Sequence, residues 1–344
     1  MGVRRLICVL ALVAGVSALV PSASAGYANE PDPGRGIGVR LVDVPVAAAD
    51  NPRARVYIID HVRPGSIVER RVEVVNYTRD PVDVAMYPAA ADVRAGEFIG
   101  AEGHTRNLLS SWTSVAPSSP RLSPGVGAFT KVRIEVPDDA PEGEQYAVVW
   151  AEVSTPPSTT GGVTHVSRVG VRIYLSVGPG GEPSSDFDIR SFTASRDDAG
   201  APVVQVLVRN IGGRALDLTG QLKLSDGPGG LSAGPFDMTL GTTLGIGATE
   251  PITAALDDTL PNGPWRAHVT VRSGLLQHTA GATLTFPDGP GVAAPVAVES
   301  TGSIPWPMLV AVVAGVLALL ALLGWHRRCR RTPAKSSDPH EVMA

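Results

Sequence analysis

Val68-Glu69-Arg70-Arg71-Val72-Glu73-Val74-Val75 sets Glu69, Arg71 and Glu73 on one side of an extended chain and Val68, Val72 and Val74 on the other, with Arg70 the exception. Successive side chains of a strand point to opposite faces, so this stretch makes one wet face and one buried face, as an antiparallel sandwich requires. Val169, Val171, Ile173, Leu175 and Val177 repeat the pattern with Arg172 opposite. Working outward, Arg55–Ile59, Val82–Tyr87, Lys131–Val136 and Gln145–Val153 read as further strands, and no long helical period intervenes from Ile37 to Phe286. Pro64-Gly65, Pro124-Gly125 and Pro141-Glu142-Gly143 supply turns between them. The polar, Pro-containing Ser154–Gly162 segment reads as an exposed hairpin loop.

Apolar residues thin out over 178–184, which reads as a linker between a first sandwich, 36–177, and a second, 185–286. In the second, Val204, Val206 and Val208 alternate, and Trp265, Ala267, Val269 and Val271 form a late strand. The two halves share a plan. Val72-x-Val74-x-Asn76 before Pro81-Val82-x-Val84 matches Val206-x-Val208-x-Asn210 before Ala215-Leu216-x-Leu218, 134 residues later between the asparagines. Each half has the size of an immunoglobulin-like or fibronectin-like sandwich.

The ends carry membrane signals. Arg4 and Arg5, an uncharged run from Leu6 to Val20 and Ala23-Ser24-Ala25 make residues 1–25 an expected signal peptide. The uncharged stretch 306–325, bracketed by Trp306 and Trp325, has the length of a transmembrane helix. Arg327, Arg328, Arg330 and Arg331 behind it place the tail, 326–344, in the cytoplasm and the N-terminus outside. The Pro-, Gly- and Ala-rich stretch 287–305 reads as a stalk. The expected fold class is therefore all-β, with two immunoglobulin-like/fibronectin-like sandwiches and one C-terminal transmembrane helix. That helix and its flanking tryptophans and arginines would contact lipid in a single-pass cell-membrane protein.

The chain is formally −4; the leader carries +2 and the tail +3, leaving −9 over 26–325. An acidic exported part lacks the basic footprint of nucleic-acid binding. Cys8 and Cys329 are the two cysteines and both fall outside the sandwiches, so burial rather than disulfides stabilises them. His61, His104, His165, His268 and His278 are isolated, with no HExxH and no GxSxG. No catalytic, metal or cofactor residue is assigned, and a non-enzymatic protein is expected. Asn76-Tyr77-Thr78 fits the N-glycosylation acceptor pattern.

Tyr87, Trp112 and Tyr146 are aromatic candidates for ligand contact in a surface binding or scaffold protein. The alternative is a surface receptor or hydrolase with a site in the long connections around 88–127, where Leu108, Leu109 and Trp112 turn back onto the sandwich.

The first half also resembles the peptidoglycan-binding domain of WxL-interacting proteins, found on Gram-positive surfaces. The resemblance is carried by Gly36-Ile37-Gly38-Val39, Ala54-Arg55-Val56-Tyr57-Ile58 running into Arg63-Pro64-Gly65, Val72-Glu73-Val74-Val75-Asn76, Ser111-Trp112, and Leu122-Ser123-Pro124-Gly125 followed by Val136-Pro137-Asp138-Asp139-Ala140-Pro141-Glu142-Gly143. It covers 36–177 and implies association with peptidoglycan or with a cell-surface protein, a WxL-type protein among them. Residues 185–286 carry no stretch that matches the family's partner-binding domain residue by residue.

Overall fold

The structure, a computed structural model, describes residues 36–155, 162, 164–238 and 241–299. Its first half holds β1 (Ile37–Leu41), β2 (Ile58–Val62), β3 (Ile67–Asn76), β4 (Val82–Asp83), β5 (Ala85–Arg94) and β6 (Glu97–Gly100). A single helical turn, α1 (Leu108–Trp112), precedes β7 (Thr113–Ala116), β8 (Arg121–Leu122), β9 (Gly127–Glu135), β10 (Gly143–Thr155) and β11 (His165–Val177). Sheet β1-β3-β9-β7 faces sheet β2-β11-β10-β5-β6. Between them lies a core that includes Val72, Val74, Leu109, Ile134, Val149 and Ile173, each at most 1% exposed.

The second half comprises β12 (Phe187–Arg196), β13 (Pro202–Asn210), β14 (Leu216–Asp217), β15 (Thr219–Ser225), β16 (Ala233–Asp237) and β17 (Thr243–Leu244). It continues through β18 (Thr249–Ala255), β19 (Trp265–Ser273), β20 (Leu276–Leu284), β21 (Gly291–Val292) and β22 (Val296–Ala297). Sheet β18-β13-β12-β21 packs on β16-β15-β19-β20 over a separate core built on Phe192, Val206, Leu222, Trp265 and Phe286. Where the sequence suggests a stalk, β21 and β22 run along β12, and Val296 and Val298 pack against this core.

The repeat read from sequence has a structural basis. Asn76 and Asn210 are buried at the ends of β3 and β13, and the short pairs β4–β8 and β14–β17 follow them at matching positions. Asn76 Nδ2 donates to the carbonyls of Asp80 and Leu122, so this side chain is a tie inside the fold, with no exposed amide to accept a glycan.

The fold class needs one correction. The α-helix found among the described residues, α1, is five residues long, about 7.5 Å at 1.5 Å per residue, against the roughly 30 Å of a hydrocarbon core. No helix of the described residues is long and apolar enough to cross a membrane. The expected span 306–325 lies outside the described residues, as do the expected signal peptide 1–25 and tail 326–344. The single-pass topology, the cell-membrane location and the lipid contacts of Trp306, Trp325, Arg327, Arg328, Arg330 and Arg331 rested on that helix. They are withdrawn with it.

The strand expected at Arg55–Ile59 is also displaced. Arg53–Arg55 forms a 3-10 turn after Pro52, and the strand starts at Ile58, where it pairs in parallel with Ile173–Val177 of β11.

Candidate functional site

The five-stranded sheet of the first sandwich is covered on both faces. Along β10, Ala147, Val149 and Ala151 enter the core. Tyr146, Val148, Trp150 and Glu152 alternate onto the outer face, where Val148 and Trp150 cluster with Tyr87 and Phe98. Trp150 lies in a slot: a Cβ added at Gly100 or at Gly170 would fall 2.6 Å from its ring. Its indole Nε1 donates to Ala101 O at 3.1 Å.

The structure brings two of the three aromatic candidates onto this outer face and leaves the third apart. Tyr87 is buried, lies against the His104 ring at 4.0 Å and donates its hydroxyl to Glu152 at 2.5 Å. Burial, then the bond to Glu152, pushes its phenol up to about 12. Tyr146 is half-buried, donates to Glu144 at 2.7 Å and meets Tyr174 edge-on. Trp112 packs from α1 against the first core on the other side of the sheet. Leu109 is buried beside it, whereas Leu108 is 51% exposed and does not turn inward.

Toward the second sandwich the same face becomes ionic. Asp217 on β14 receives Arg53 Nε at 2.8 Å, Arg172 Nη1 at 3.1 Å, the Tyr174 hydroxyl at 3.0 Å and the Thr243 hydroxyl at 2.8 Å. Arg172 also stacks over Phe98 and Tyr57, and Thr243 N donates to Gly96 O. Beside this cluster, Glu144 accepts from the Ala215 amide at 2.6 Å. Burial raises the Glu144 carboxyl above its ordinary value, against the lowering pull of Ala215, Tyr146 and Arg214. Burial likewise raises Asp60, against its ion pair with Arg70.

An acid whose folded pKa is raised costs stability when ionised, and that cost is relieved as pH falls through the raised value. Asp43 is lowered by Arg71, and its contribution is lost as pH falls through a value below 3.8. Mild acidification below neutrality is therefore expected to stabilise the protein before stronger acid unfolds it. Glu144→Gln should flatten that initial rise in Tm; an unchanged rise would remove Glu144 as its source.

Away from the second sandwich, the β10–β11 hairpin outruns its neighbours. β5 pairs with β10 only from Ala147 to Glu152, and β2 pairs with β11 only from Ile173 to Val177. Among the described residues, Val153–Thr155 therefore pair only with His165–Ser167, and His165–Arg172 pair with β10 alone, their other side meeting no strand. Val166 is 47% exposed on this arm, and Val153 and Val169 are half-buried. At its root, Glu152 joins Tyr87 to Arg168, whose Nε lies 2.9 Å from the carboxylate and whose guanidinium stands over Trp150.

Several other edges are protected, whereas β20 is bridged on its outer side, among the described residues, only at Gly281. β18 carries Pro251 and β16 carries Pro235; β12 is covered by β21 and β22; β6 has four residues. Proline, shortness and covering segments are the ordinary devices against unwanted strand pairing. β10 and β11 have 13 residues each and no proline.

No family model matches the chain, and no curated protein matches it. Solved structures do. The Salmonella enterica SafA pilin in complex with the SafB chaperone aligns at 12% identity and a TM-score of 0.38, over 73% of this chain and 98% of that one. The E. coli chaperone DraB aligns at 10% and 0.36, over 71% and 95%. The class 5 fimbriae chaperone CfaA aligns at 14% and 0.33, over 67% and 97%. With no family model matching, the WxL-interacting expectation for 36–177 is corrected, together with the peptidoglycan and WxL-type partners it implied.

The receptor or hydrolase alternative is corrected too. Much of 88–127 is built into β5, β6, α1, β7 and β8, and a cavity that opens between the two sandwiches takes no residue from it. Among the described residues no group of three or more His, Cys, Asp or Glu could hold a metal ion.

Proposed function

We propose that this chain is a non-enzymatic scaffold that binds an extended segment of another protein along the open arm of β11. Strand addition to a sheet edge gives affinity through main-chain hydrogen bonds and specificity through alternate side chains. The observation that carries the reading is the 13-residue, proline-free strand β11, whose outer edge at His165–Arg172 has no strand partner among the described residues. On the outer face, Arg168, already paired with Glu152, stands beside the edge with Tyr87 and Trp150 flanking it. Val166 offers apolar contact beyond it.

A photo-crosslinking residue at Ser167 in the full chain, expressed in its native cells, is expected to trap a discrete protein partner. The adduct should vanish when Val166→Pro removes an outward-facing backbone donor from the edge, since Gly178 N, an even number of residues further along, donates to the β2 side. Equal adduct yields with and without the proline, in a variant that still melts cooperatively, would rule out strand addition here.

A further inference from the structure

A cavity of about 270 Å³ opens between the two sandwiches, on the side of the linker. Its polar lining converges: Arg214 Nε and Ser273 Oγ are buried atoms with no hydrogen-bond partner, and both residues line this cavity together with Arg53. Buried polar atoms left unsatisfied are rare in folded proteins and call for water, an ion or a ligand. Ile59, Leu216 and Leu276 form the apolar part of the wall.

The charges around the cavity are unequal in their commitments. Arg53 is tied to Asp217 by two nitrogens. Arg214 has a side chain only 7% exposed, yet its close partner, Glu182, sits on the linker with 62% of its side chain exposed. Its other acidic neighbour, Glu144, stands 3.9 Å from Nε, too far for a hydrogen bond. Guanidinium stays charged even when buried, and its planar fork suits a carboxylate. Glu182 thus meets Arg214 from the solvent side and leaves the Nε edge of the fork open.

We infer that this cleft is a binding site for a small aliphatic carboxylate, whose oxygens engage Arg214 and Ser273 while its short chain lies against Ile59, Leu216 and Leu276. Glu182 is the internal competitor for the same guanidinium. The site involves neither the β11 edge nor its guest, so each stands or falls alone.

Titration of the purified full chain with butyrate, followed by calorimetry at constant ionic strength, tests this. Butyramide, which keeps the shape and loses the charge, serves as the control. Saturable binding of butyrate but not of butyramide is expected. Glu182→Gln should tighten it about tenfold, as removal of a carboxylate competing for one charge-assisted hydrogen bond would do. Arg214→Gln should weaken it at least about tenfold, and Ser273→Ala, a smaller change in the same wall, should weaken it less. No saturable heat with butyrate, equal binding of butyramide, or a butyrate affinity unmoved by both Glu182→Gln and Ser273→Ala would overturn the assignment. The last criterion holds even if Arg214→Gln fails to fold.

Discussion

Asp217→Ala is expected to destabilise the protein by about 3–5 kcal/mol, the range seen when one partner of a buried ion pair is removed and the other is left uncompensated. Asp217 stands where the sandwiches meet, with a side chain 15% exposed, and it receives two arginines and two hydroxyls. Arg53 and Arg172 come from the first sandwich and Thr243 from the second, so the carboxylate is a hub between domains. Without it, both guanidiniums face burial against aromatic rings with no anion. Asp217→Asn keeps an acceptor for Tyr174 and Thr243 but removes the charge, and should fall between wild type and alanine. Chemical denaturation would read the loss, and calorimetry should show one transition separating into two as the sandwiches uncouple. A loss under about 0.5 kcal/mol, the size of an ordinary surface change, would mean that the cluster does not join the domains.

None of that hub is legible in the sequence. Arg53 and Asp217 are 164 positions apart, and each reads locally as a solvated charge beside a turn. What the sequence does state is periodicity: Val68–Val75, Val169–Val177 and Val204–Val208 keep their alternation in β3, β11 and β13. The second face of the central sheet was also written there. Tyr146-Ala147-Val148-Val149-Trp150-Ala151 is an unbroken apolar run, the mark of a strand buried on both sides, although it also contains an alternating pattern. The displaced strand at Arg55–Ile59 shows the limit of periodicity. Its register is chosen by the distant partner β11, and Asp60 enters the strand only because Arg70 meets it. The open arm of β11 was out of reach for the same reason, since an edge is defined by strands that are missing beside it.

Asn210→Ala is expected to cost about 3 kcal/mol and to lower the melting temperature of the second sandwich by roughly 10 °C or more. The amide is 1% exposed and makes three bonds at once: Nδ2 donates to Arg214 O at 2.7 Å and Leu244 O at 3.1 Å, and Oδ1 accepts from Gly212 N at 2.9 Å. Alanine leaves two carbonyls and one amide without their partner in a place water barely reaches, and each such group costs about 1–3 kcal/mol. Asn210→Asp is expected to be no better, because it keeps the acceptor, loses both donor bonds and adds a buried charge. Asn76 makes the same three bonds in the first sandwich, to Asp80 O, Leu122 O and Thr78 N. Asn76→Ala should therefore match the loss in its own half. Limited proteolysis along the melt would show which half each variant weakens. If either alanine proved neutral, the asparagine would not be the tie between the end of its strand and the short strand pair after it.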